Sequence, residues 1–153
     1  MKRQSGFTIL EILVALAIVG ILTATAVPLY HTWQGRAYGS EAAIMMNQII
    51  AAEINYYLEN NKFFPDDTTY MILHDGQPDP TDAIEAIAKN LNITINQGHF
   101  LEYYIAGFNE PENASFSLRI SSKDQQFDIF KGTREIIVNM DKNGNVSQFT
   151  PYY

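Results

Sequence analysis

Glu11 is the only charged side chain between Phe7 and Tyr30. It stands at the head of the run Ile12-Leu-Val-Ala-Leu-Ala-Ile-Val-Gly-Ile-Leu-Thr-Ala-Thr-Ala-Val27, where Thr23 and Thr25 are the only polar side chains. A short basic leader, Met1-Lys-Arg-Gln-Ser-Gly6, precedes it. A lone carboxylate in lipid or in a helical bundle is neutral or very costly. A positive partner removes that cost; a place at the membrane interface, exposed to headgroups, would lower it. The chemistry to expect of Glu11 is charge pairing.

Other reactive groups form no constellation. His31, His74 and His99 share no metal-ligand spacing. No glycine-rich phosphate loop and no local nucleophile motif is present. Cysteine is absent, which excludes thiol catalysis, cysteine-ligated metals and a disulfide brace. Asp141-Lys-Asn143-Gly144-Asn145 loosely follows a calcium loop, but its glycine is misplaced and Tyr152 stands where a glutamate is needed. A hairpin turn fits it better. Asn92-Ile93-Thr94 and Asn113-Ala114-Ser115 match the glycosylation triplet, which chance explains. No cofactor is expected. Ten Lys and Arg oppose seventeen Asp and Glu, and without Lys2 and Arg3 the balance is eight against seventeen, or −9. Only Arg36, Lys62 and Lys89 are cationic between Phe7 and Gly98, so nucleic acid is not indicated as a partner.

The elements that must position Glu11 begin with the apolar run. From Phe7 to Tyr30 it spans roughly 24 residues, or some 36 Å as a helix, enough to cross a bilayer. Lys2 and Arg3 orient the leader to the cytoplasm. A secretory signal peptide has similar parts, but Pro28-Leu-Tyr-His-Thr-Trp33 suits a cleavage site poorly and Glu11 interrupts the apolar core. A plain membrane anchor explains the hydrophobicity and not Glu11. Gly20 and Pro28 weaken the helix on either side of Ile21 to Val27, which invites a kink or local melting.

Helix-favouring residues continue from Arg36 to Asn60, with Glu41, Gln48, Asn55 and Glu59 on one polar stripe and apolar residues around most of the rest. Asn60-Asn61-Lys62 and Phe63-Phe64-Pro65 end the helix. A loop is expected up to Pro80, then a short helix opened by a capping box, Asp82-Ala83-Ile84-Glu85, and ending near Asn92. Strands are expected over Phe100 to Phe108, Ser115 to Ser121, Gln126 to Phe130, Glu135 to Met140 and Val146 to Phe149, with Asn143-Gly144 turning the last hairpin. The fold class is α+β: a long N-terminal α-helix, hydrophobic in its first half, packed by its second half against a small antiparallel β-sheet head.

Gly6-Phe7-Thr8-Ile9-Leu10-Glu11, with Gly20 and Val27-Pro28-Leu29-Tyr30, resembles the type IV pilin and pseudopilin family; the likeness is strong from Ser5 to about Tyr38. The resemblance implies a leader of residues 1–6, a hydrophobic transmembrane and filament-core helix of 7–30, and a continuing helix and α+β head of 31–153. It implies cleavage between Gly6 and Phe7 by a prepilin peptidase, N-methylation of Phe7, and pairing of Glu11 with the Phe7 amine of a neighbouring subunit. Gly20 and Pro28 become the kink or melting points. The partners implied are further copies of the chain, the peptidase, an inner-membrane assembly platform and its ATPase, and the membrane before assembly. The chain itself is not expected to be an enzyme. It moves from the inner membrane as precursor to a surface filament for adhesion or twitching motility. A type II secretion pseudopilin is the alternative, and a monomeric membrane-anchored binding module is a third.

Overall fold

The structure is a computed structural model that describes residues 6–73, 75–96, 100–123, 128–129 and 132–149. Helix α1 runs from Ile9 to Asn60 without interruption. The chain divides into two compact units between Gln34 and Gly35. In the first, every residue from Gly6 to Trp33 is exposed. An 18-residue window of α1 has a mean hydropathy of 2.5 and no buried residue, so α1 is long and apolar enough to cross a membrane.

In the second unit α1 buries Gly35, Gly39, Ala42, Ile49 and Glu53. Steps of three, four and seven residues keep these on one face. Ala42 and Ile49 join a core with Ile105, Phe116, Leu118, Ile120, Ile136 and Val138, so the helix packs on the sheet. The sheet is an antiparallel meander, β1-β2-β3-β4-β5, formed by Thr69–Ile72, Leu101–Phe108, Ser115–Ser122, Glu135–Asp141 and Val146–Phe149. Its register sets Ile105 opposite Leu118 and Leu118 opposite Val138, which aligns the apolar rows on the core side. Rings fill the space beside the helix end: Tyr57 stacks on Phe63 at 4.5 Å, and Phe63 lies 6.2 Å from Phe116.

Helix α2, Thr81–Leu91, buries Ala83, Ile87 and Leu91 and ends on Asn92, which takes the left-handed conformation at φ 55°. The expected capping box is not formed. Pro80 occupies the cap position and Asp82 lies inside the first turn, too far in to cap. Asp79 does the work instead, its Oδ1 accepting from Thr81 N at 3.0 Å and Thr81 Oγ1 at 2.6 Å.

Three further differences from expectation have local causes. The loop before Pro80 contains β1, a four-residue edge strand paired to β2 from Thr69↔Ala106 to Ile72↔Tyr103. The strand expected over Gln126 to Phe130 falls mostly outside the described residues; Asp128 and Ile129 are described and lie in no strand. In the last hairpin Gly144 N donates to Asp141 O at 3.0 Å and Gly144 has φ +79°, so the turn is centred on Lys142-Asn143 with Gly144 as the bulge residue. Asp141 fastens it by accepting from the backbone N of Asn143 and Asn145 and from Asn145 Nδ2, which holds its carboxyl below the usual range.

Gly35 and Gly39, four residues apart, bring α1 against the backbone of Asp128 and Ile129. A Cβ at Gly35 would stand 2.8 Å from the Asp128 carbonyl oxygen, and one at Gly39 would overlap that of Ile129. The Gly39→Ala variant is therefore expected to lose about 1–3 kcal/mol of stability as helix and segment part. A lowered thermal unfolding midpoint would show it; an unchanged midpoint would mean that the segment yields freely.

Candidate functional site

The residues singled out by sequence lie in the exposed first unit. Gly6 and Phe7 precede the helix, and the Phe7 side chain is 86% exposed. Thr8 is the helix N-cap: its carbonyl accepts from Ile12 N at 3.3 Å, and α1 begins at Ile9. Glu11 is therefore at the third helical position, and Thr8-Ile9-Leu10-Glu11 closes a capping box. Thr8 N donates to Glu11 Oε2 at 2.9 Å and Thr8 Oγ1 to the same oxygen at 2.8 Å. Glu11 N donates back to Thr8 Oγ1 at 3.2 Å. The box satisfies orphan donors of the first turn and fixes the Glu11 carboxylate at the mouth of the helix.

Sequence reasoning looked for the partner of Glu11 on another molecule and passed over the one on its own chain. The signal was available: a threonine three residues before a glutamate, at the start of an apolar run. The structure brings Thr8 and Glu11 together. In this chain the Phe7 nitrogen is in peptide linkage to Gly6 and carries no charge with which Glu11 could pair.

Gly20 and Pro28 both lie within α1, and a Cβ at Gly20 would meet nothing within 4 Å. Pro28 cannot donate to the carbonyl of Ala24, which loses its usual helical partner. Around these points the threonine hydroxyls turn back onto the helix. Thr23 Oγ1 donates to Val19 O at 2.7 Å, Thr25 Oγ1 to Leu22 O at 3.0 Å and Thr32 Oγ1 to Pro28 O at 3.1 Å. Such bonds keep each hydroxyl satisfied without water in an apolar setting. The stretch from Ile21 to Val27 is helical throughout.

Among the described residues no group of three or more His, Cys, Asp or Glu could hold a metal ion. Among the described residues the second unit buries three carboxyls that sequence reasoning missed, Glu53, Glu102 and Glu135, and Glu53 is the most deeply placed. Glu53 is fully buried, its Oε2 accepting from Phe64 N at 3.0 Å and its Oε1 without a partner among the described residues. Burial pushes this carboxyl up to about 8, with the Phe64 N–H pulling the other way.

Residues 1–27 match the family model described as the prokaryotic N-terminal methylation motif. Over 66 residues the chain is 42% identical to the type IV major pilin protein PilE of Neisseria gonorrhoeae, an alignment covering 43% of this chain and 39% of that one. It is 33% identical over 61 residues to the type IV major pilin protein PilA of Myxococcus xanthus, covering 40% of this chain and 28% of that one. With a fimbrial protein of Pseudomonas aeruginosa it shares 34% identity over 76 residues, covering 47% and 49%. The chain thus spans about two-fifths of the length of the first curated relatives it matches. No solved structure matches it significantly. With the methylation motif at its start, the N-terminal part of the chain is thus similar to the type IV pilins and fimbrial proteins, and the second half of its long helix packs on a small antiparallel sheet.

Proposed function

We propose that this chain is a structural subunit of a type IV pilus-like filament. A prepilin peptidase cuts between Gly6 and Phe7 and methylates the new Phe7 amine. The helix of residues 7–30 holds the precursor in the inner membrane and then enters the filament core, while residues 31–153 supply the rest of the helix and the head. The assembly platform and its ATPase extract each subunit. Cleavage creates the amine that a neighbour's Glu11 pairs with, so processing licenses assembly. Gly20 and Pro28 are the points where the core helix yields as subunits pack. The chain does no chemistry of its own.

The observation that carries this proposal is the exposed apolar half of α1, from Ile9 to Trp33, with a single capped carboxylate at its start. The family model over that segment and the printed names of the relatives, pilins and fimbrial proteins, support a surface fibre over a secretion pseudopilus. Electron microscopy of sheared surface material, with mass spectrometry of its N terminus, tests it. Fibres whose subunits begin at methylated Phe7 are expected. Single copies intact at Met1 would instead identify a monomeric membrane-anchored module.

A further inference from the structure

An open groove of about 580 Å³ runs between the second half of α1 and the end of α2. One wall is the polar stripe of α1, represented by Gln48, Asn55 and Glu59; the other carries Asn90, Asn92 and Thr94. Ala51 and Ala52 keep the space between them unfilled, and Tyr56 lies beside them with its ring held edge-on to Phe64 at 5.7 Å. Asn92 is fixed as well, because its left-handed backbone ends α2.

The lining decides what the groove could hold. No Lys or Arg contributes to it, so an anion would find no counter-charge. Its single carboxylate is too few oxygens of the right charge for a divalent cation. Six polar side chains around an open trough make a poor seat for a lipid tail. What remains is a neutral ligand rich in hydrogen-bonding groups. The amides of Gln48, Asn55 and Asn92 each offer a donor and an acceptor side by side, which matches two neighbouring hydroxyls on a sugar ring, while Asn90, whose Nδ2 donates to Ala86 O at 2.8 Å, presents its oxygen. The alanines and the fixed Tyr56 ring suit the apolar face of that ring.

We propose that this groove binds a neutral saccharide. An extended peptide, such as a segment of a second copy, is the competing occupant. The test uses the full chain in a zwitterionic detergent, because a detergent with a sugar headgroup would fill the groove. Lactose, cellobiose and chitobiose are the probes, and saturation-transfer NMR is the readout. At least one disaccharide is expected to bind saturably, with affinity reduced about two- to tenfold in Asn55→Ala, the effect of losing one hydrogen bond. Ala51 is exposed, so Ala51→Trp fills the groove without entering the core, and it is expected to remove binding while circular dichroism stays unchanged. The proposal is overturned if none of the three sugars binds saturably, or if binding survives Ala51→Trp. It is equally overturned if Ala51→Trp blocks self-association of a chain that binds no sugar, which would give the groove to a second copy.

Discussion

Chains carrying Glu11→Gln are expected to reach the membrane and lose their leader normally, yet to build at least about a hundredfold less filament than the parent. The substitution separates two jobs that one carboxylate performs. In the protomer Glu11 closes the capping box with Thr8, and glutamine can do the same through its side-chain oxygen. The helix start is therefore preserved. What glutamine cannot supply is the negative charge that, in the proposed assembly, meets a neighbour's Phe7 amine. Breaking a buried ion pair by removing one partner costs about 3–5 kcal/mol, which corresponds to a factor of at least about a hundred in the assembly equilibrium. Replacing Thr8 by alanine removes only the cap, worth about 1 kcal/mol, and should leave assembly weakened but present. Filament yield measured by sedimentation of sheared material distinguishes the cases. Normal yield from Glu11→Gln would reduce Glu11 to a helix cap and end the pairing mechanism.

The same two residues show where sequence was legible. A carboxylate alone in an apolar run announces itself, because its cost is large and its surroundings are uniform. The strands were visible for a related reason: Phe116, Leu118 and Ile120 alternate with Ser and Arg, and a period of two survives any choice of partner. Capping was harder. Asp82-Ala83-Ile84-Glu85 and Thr8-Ile9-Leu10-Glu11 fit one pattern, and only the second is a box. The difference lies in backbone geometry at Pro80, two residues before the pattern begins. Gly35 and Gly39 read as isolated glycines until Asp128 and Ile129, some ninety residues away, came to lie against them. Strand β1 escaped because four residues set among turn formers carry too little periodicity, and its pairing with β2 supplies the rest.

Glu53 was the least legible residue, and it leads to the other large effect. On a wheel it stands off the polar stripe, on the face of Ala42 and Ile49, where an acid in an otherwise helical pattern is easily passed over; only the fold seals it beneath Phe64. The folded chain keeps its proton up to about pH 8, whereas the carboxyl ordinarily releases it near 4.5. Between those values the native state binds the extra proton, so stability falls as pH rises. At about 1.4 kcal/mol per pH unit, the loss by pH 8 reaches about 5 kcal/mol relative to pH 4.5. For a chain of this size that is roughly 10–20 °C in the unfolding midpoint. Glu53→Gln keeps an acceptor for Phe64 N and has no proton to lose, so its midpoint should lack this component. The decisive quantity is the difference between the two midpoints, followed by circular dichroism from pH 5 to 8 on the detergent-solubilised chains. It should move steadily in favour of glutamine as pH rises. A difference that stays flat would mean that Glu53 is already ionised in the fold, and that a cation or solvent reaches Oε1, the oxygen for which the described residues offer no partner.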